Sequence, residues 1–310
     1  MKTDSTFAGI PEKFSRKEQS KIVLIPVPFD GQKMTHEGPK AFLKAAENME
    51  LYDIETDTEV YKQGIYLADA IKENSSTEAV VEAVQQTVKK YINRNKFVTL
   101  FGGENIISMG TISAFNECFD NISVLHIDAQ ANVKKEVDGN KFHNQCALNK
   151  ASQNTNLVQV GIRSMSASEK NTVNFDKTFF AHEMAVNDYW MDEVVDQLLD
   201  DVLIVLDLDA LDPSIFPSTK NPVSGGLFYF ETLAFLKQVF ESKNVVGFEL
   251  TGLMPNELDK TSDALASKLY YKMLSYKFAS DTNEVEKDEG FDGNNPFSKL
   301  SKFKDNEDEY

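Results

Sequence analysis

The sequence predicts a three-layer α/β/α sandwich built on a parallel sheet of about eight strands, and three observations carry that prediction. Eight short apolar runs recur along the chain, at 22–27, 64–68, 97–101, 122–128, 157–161, 178–181, 202–207 and 245–250. Most are apolar almost throughout rather than alternating, the pattern of strands buried on both faces and hence of a parallel sheet. Amphipathic stretches separate them, the order expected of strand–helix–strand crossovers.

The 22–27 run, Ile-Val-Leu-Ile-Pro-Val, opens the sheet. The clearest helix covers 77–93, where Ala79, Val80, Ala83, Val84, Thr87, Val88 and Tyr91 fall on one face. Ser75 and Glu78 have capping-box spacing at its start. Helices also fit 106–116, 189–199, 229–242 and 260–274. The segment 279–310 differs: it holds ten acidic and four basic residues and Asn-Asn-Pro at 294–296, the composition of a disordered acidic tail on a single domain over 1–278.

Composition narrows the function. With 32 basic and 49 acidic side chains the net charge is −17, so the surface repels nucleic-acid phosphates and anionic membranes. Cys118 and Cys146 make no disulfide framework, no apolar signal core precedes residue 20, and no run is long enough to span a bilayer. The expectation is a cytoplasmic protein with no nucleic-acid or membrane partner.

Ligands of such sheets bind beyond the carboxyl ends of the strands, and there the sequence is unusual. The strand at 97–101 runs into Gly102-Gly103-Glu104-Asn105, and that at 122–128 into Asp128-Ala129-Gln130-Ala131-Asn132. The strand at 202–207 ends in Asp207-Leu208-Asp209-Ala210-Leu211-Asp212-Pro213, and the last passes through Glu249 to Gly252. On extended chain Asp207 and Asp209 would leave the same face, and two carboxylates held together need protons, a cation or a positive side chain. Either aspartate could equally cap the following turn. His126, two before Asp128, reads as a satisfied strand histidine, and Cys146 as a packed small residue.

Taken in order, these segments resemble the ureohydrolase family of arginases, agmatinases, guanidinobutyrases and formimidoylglutamases, with the likeness strongest to agmatinases. The run from Leu206 through Pro217 to Gly225-Gly226-Leu227 follows the family's D-x-D-x-x-D-P pattern, Gly161-Ile162-Arg163 its G-x-R segment, Gly102-Gly103-Glu104 its G-G-[DE]-H turn, and Pro26 to Gly31 its opening loop. The resemblance implies an arginase-like fold and hydrolysis of a guanidinium or related C–N group by two bridged manganese ions that make hydroxide near neutral pH. Of the six ligand positions it implies, Asp128, Asp207 and Asp209 are retained, whereas Asn105, Gln130 and Asn132 stand where the family has histidine, histidine and aspartate. Neutral amides are poor ligands for a transition metal. Gly252 falls where the family's guanidinium-binding glutamate would be. Asn144, with His143 beside it, falls near the proton-shuttling histidine, and Thr219-Lys220-Asn221-Pro222 replaces the usual T-G-T-P.

The expectation is therefore retained folding with abandoned chemistry: an inactive ureohydrolase-like protein with a binding, structural or regulatory role. The alternative is a residual hydrolase with one metal at Asp128, Asp207 and Asp209. The cofactor expected is none, or a single weak manganese, magnesium or calcium ion in place of a binuclear centre. The resemblance implies a trimer or hexamer of this chain, or a mixed oligomer with an active paralogue.

Overall fold

The computed structural model describes residues 6–31 and 34–288, with side chains as far as Ala279. All eight anticipated strands form: β1 (Ile22–Val27), β2 (Ile65–Leu67), β3 (Phe97–Gly102), β4 (Ser123–Ile127), β5 (Asn156–Ile162), β6 (Thr178–Phe180), β7 (Asp201–Asp207) and β8 (Asn244–Thr251). They make one wholly parallel sheet in the order β2-β1-β3-β8-β7-β4-β5-β6.

Helices cover both faces. On one side lie α1 (Gly38–Ala46), α6 (Trp190–Gln197), α7 (Tyr229–Ser242) and α8 (Thr261–Asp288); their Phe42, Val194, Phe235 and Tyr270 share one apolar core with alternate strand residues. On the other lie α2 (Thr77–Ile92), α3 (Ser108–Cys118) and α4 (Ala151–Asn154), whose Val84, Phe115 and Ala151 pack into a second core. The remaining short helix, α5, is Ala181–Met184. Phe42 stacks on Phe101 of β3 at 4.0 Å between ring centroids, and Tyr270 meets Phe42 and Phe248 edge-on. The Tyr270 hydroxyl, fully buried, donates to Thr99 Oγ1, which donates to the Val23 carbonyl, so the ring's polar end is also satisfied. No helix among the described residues is long and apolar enough to cross a membrane.

Three local expectations change. The N-cap of α2 is Ser76, which accepts from the Ala79 N–H at 3.1 Å, whereas Ser75 donates its N–H and hydroxyl to Glu73. The capping-box spacing at Ser75 and Glu78 was thus one residue early; Ser75 is drawn off by the nearer carboxylate. Helix α1 is not among the helices the sequence predicts: only Phe42 and Ala46 of its apolar stripe are fully inward, and it starts at a Gly-Pro pair. Finally, α8 continues through the boundary expected at 278 as far as Asp288; the rest of the acidic segment lies outside the described residues.

Helix α8 is fastened to the loop before β2 by a buried charge cluster. Lys272 Nζ lies 2.8 Å from Asp53 Oδ1 and 2.7 Å from Glu55 Oε2, with Asp53 only 1% exposed. Removing the ammonium would strand a buried carboxylate. Lys272→Met should therefore lower unfolding free energy by about 3 kcal/mol, measured by urea titration; a loss below about 1 kcal/mol would mean that water reaches Asp53 freely.

Candidate active-site cleft

Sheet order alone assembles the site. Strands β3, β8, β7 and β4 are neighbours at the centre of the sheet, and their carboxyl ends carry the motifs found in the sequence. Ile127 pairs with Leu206 and Asp207 with Thr251, so Asp128, Asp207 and Gly252 follow from three adjoining strands at one level. Asp207 and Gly252, together with the loops 130–134, 144–145, 164–169 and 219–223, bound a cleft of about 570 Å³.

Asp207 and Asp209 line its floor and fully buried Asp128 adjoins them: each of the three offers an oxygen, and these oxygens lie within 4.8 Å of one another. The geometry differs from simple strand alternation. Asp207 ends β7, and Leu208–Ala210 form a 3-10 turn that brings Asp209 back, with the Asp209 N–H donating to Asp207 Oδ1 at 3.1 Å. Asp207 thus also caps that turn. Asp128 is fully buried; Asp207 and Asp209 are 7% and 4% exposed.

Hydrogen bonds surround the triad. Asp128 Oδ1 accepts the Gln130 N–H at 2.7 Å, and its Oδ2 accepts Asn132 Nδ2 at 2.8 Å and faces His126 Nε2 at 2.9 Å. Asp209 Oδ1 accepts the Ala129 N–H at 3.2 Å, and Asp207 Oδ2 the Thr251 hydroxyl at 3.2 Å. Arg163, after β5, donates to the carbonyls of Asp209, Ala210, Leu211 and Val223, fixing the turn's backbone rather than the carboxylates. Burial first, then the Asp207 charge, pushes Asp128 up to about 8. Burial and the neighbouring carboxylates likewise raise Asp207 and Asp209 well above the usual range. Burial and mutual repulsion thus both favour proton uptake by the triad.

His126 is buried and satisfied, as its strand position suggested. Gln159 Nε2 donates to both Ala131 O (2.8 Å) and His126 Nδ1 (3.0 Å), which assigns the ring proton to Nε2 and directs it at Asp128. Gln159 was not singled out from the sequence. Its signal was available: His126 and Gln159 are polar residues in apolar strands, and they are register partners in β4 and β5.

Of the degenerate positions, Asn105, Gln130 and Asn132 all line the cleft. So does Asn144, whose Oδ1 accepts the Ile106 N–H at 3.2 Å; His143 does not, and its Nδ1 is taken by the Gln145 N–H at 3.2 Å. Gly252 lines the wall with φ +93°, and a Cβ there would overlap Asp207 Oδ1. Three further residues shape the cleft without having been assigned roles. Lys220 reaches in and binds buried Glu104 (Nζ to Oε1, 2.7 Å). Lys134 is held by the Gln145 side-chain oxygen at 2.8 Å, and Glu169 accepts the Val133 and Ser166 N–H groups. Glu249, behind the site, is bonded by the hydroxyls of Ser108 and Thr111 and does not face the cleft.

Asp128, Asp207 and Asp209 are the described residues that could hold a metal ion. The six positions together do not suit two manganese ions. They offer three carboxylates and three neutral amides with no imidazole, and the most buried carboxylate already accepts donors on both oxygens.

A sandwich of this topology with paired aspartates at the end of β7 defines a class, and the chain falls within it. It belongs to the arginase family, whose model matches residues 20–275. It is 27% identical over 297 residues to an N(1)-aminopropylagmatine ureohydrolase from Synechocystis, covering 89% of this chain and 97% of the relative. It is 29% identical over 274 residues to one from Thermus thermophilus, covering 86% and 93%. The agmatine ureohydrolase structure of Thermoplasma volcanium superposes with a TM-score of 0.78 at 23% identity over 86% of this chain and 92% of that one. The proclavaminate amidino hydrolase of Streptomyces clavuligerus gives 0.77 at 20% over 88% and 96%. At these identities the structural likeness establishes the fold.

Glu249 supplies a pH test of the site's rear wall. Full burial is the larger effect and pushes its carboxyl up to about 7, against the hydroxyl bonds that pull it down. The folded state thus holds a proton that the unfolded chain releases near 4.5. Stability is fully present below that value and falls as pH rises towards 7. Glu249→Gln removes the titration, so wild type should lose about 2 kcal/mol relative to the variant between pH 5 and 7.5 in chemical denaturation. Parallel pH profiles would show Glu249 ionised in the fold.

Proposed function

We propose that this arginase-family chain has kept the cleft as a ligand-binding or regulatory site and no longer hydrolyses guanidino substrates. The observation that carries this reading is the state of the cleft's cation-binding wall. At the position of the expected guanidinium partner stands Gly252, packed so closely on Asp207 that no side chain fits. Glu104, which also lines the cleft, is already paired with the chain's own Lys220. The other wall carboxylate, Glu169, is taken up by the Val133 and Ser166 N–H groups and the Ser166 hydroxyl, so a guanidinium entering here finds no carboxylate free of donors on the wall. The amides at 105, 130 and 132 support the same reading, since hydroxide generation from bound water needs a stronger Lewis-acid centre than this donor set would hold.

The proposed assembly is a trimer or hexamer of this chain, or a mixed oligomer with an active family member. Exposed Val186, Tyr189, Phe228 and Phe230, at the ends of the packed pair α6 and α7, support a protein partner. A monomeric mass in light scattering would remove the self-assembled form.

The activity test is direct. Agmatine, arginine and 4-guanidinobutyrate, each supplied with excess MnCl2, should give no urea above a protein-free control. Manganese-dependent release that Asp207→Asn abolishes would reject the proposal in favour of a residual single-metal hydrolase.

A further inference from the structure

We propose that the side-chain amide of Asn132 takes the place of a cation at the cleft floor, so that the triad is held by a metal-free hydrogen-bond lock. The inference goes beyond the loss of hydrolysis: the cleft could be inactive and still depend on an ion for its shape.

The lock begins with the backbone. Asn132 has φ +55°, a left-handed conformation that asparagine adopts more readily than most residues. Its carbonyl accepts the Leu148 N–H at 2.9 Å, which anchors the turn against the segment leading to α4. With the main chain so held, the 4%-exposed side chain lies over Asp128 and donates Nδ2 to Oδ2 at 2.8 Å. The same oxygen receives His126 Nε2–H, whose ring is oriented from behind by Gln159. The other oxygen of Asp128 receives the Gln130 N–H. Three donors therefore converge on one buried carboxylate from three directions, on atoms that cannot diffuse away.

An aspartate at 132 would be nearly the same shape and chemically opposite. It would present oxygens where the amide presents hydrogens, placing a fourth carboxylate against the first three. That arrangement needs a cation; the present one supplies its own positive dipole. The amide donor and the mismatch between this ligand set and a binuclear centre are two sides of one substitution.

Melting behaviour tests this without reference to turnover. Wild type dialysed against EDTA should melt at the same temperature as wild type in excess MnCl2. Asn132→Asp should melt roughly 5 °C lower in EDTA, from loss of the donor and added repulsion, and should recover on adding MnCl2. Asn132→Ala, which loses the donor without adding charge, should lie between the two in EDTA and ignore manganese. If Asn132→Asp fails to fold in EDTA, refolding it with MnCl2 gives the same information, and recovery supports the lock. The proposal is overturned if manganese raises the wild-type melting temperature, or if Asn132→Ala and Asn132→Asp both melt with wild type in EDTA.

Discussion

Three buried carboxylates meeting within 4.8 Å are the constraint around which the rest of this molecule is arranged. Two unit charges 4 Å apart repel by roughly 4 kcal/mol at an effective dielectric constant of 20. Three such pairs, all ionised, would cost on the order of 10 kcal/mol, comparable with the whole stability of a domain. The fold survives because almost every neighbouring group is a donor: the N–H groups of Ala129, Gln130 and Asp209, the Thr251 hydroxyl, the Asn132 amide and the His126 ring. What those donors leave uncompensated appears as raised proton affinity, with burial as the larger cause at each aspartate.

The sheet creates this problem by its topology. Strands β4 and β7 are far apart in sequence yet hydrogen-bonded side by side, and their register ends them level. Strand β8 lies against β7 in a register that sets Thr251 beside Asp207, so residue 252 meets the Asp207 carboxylate at once. Glycine there is a packing requirement. Restoring an acidic side chain at 252 would require β8 to leave the sheet earlier or Asp207 to turn away. The glycine at 252 and the tightly held triad are therefore coupled through one strand pairing.

The strands were legible because burial on both faces writes itself as continuous apolar runs, and all eight appear where the sequence placed them. Five helices were legible from their stripes, with α7 matched at both ends. Helix α1 was not, since a nine-residue helix with a Gly-Pro start carries little periodicity. At the site, the strand-end motifs singled out Asp128, Asp207, Asp209 and the three amides, and the fold brings these residues together at one end of the sheet. The sequence was silent on contacts made between distant segments. Lys220 was visible only as a departure from T-G-T-P, and nothing local links it to Glu104, 116 residues away. Gln159 and Glu169 act through neighbours that only the fold brings near.

Two of these contacts have the same physical character. At the floor, a tethered amide faces Asp128; at the wall, a tethered ammonium faces Glu104. In each case a group on the chain occupies a carboxylate that could otherwise attract a cation from solution. An ion or a cationic ligand stabilises only in proportion to its concentration relative to its dissociation constant. A side chain contributes whenever the protein is folded. On the proposed reading, covalently attached donors in place of exchangeable cations would make the cleft's electrostatics independent of metal supply and of guanidino ligands. The same reading would account for a donor set unsuited to two manganese ions within an intact arginase-family sheet: the repulsion that the ions would have balanced would be balanced by the chain itself.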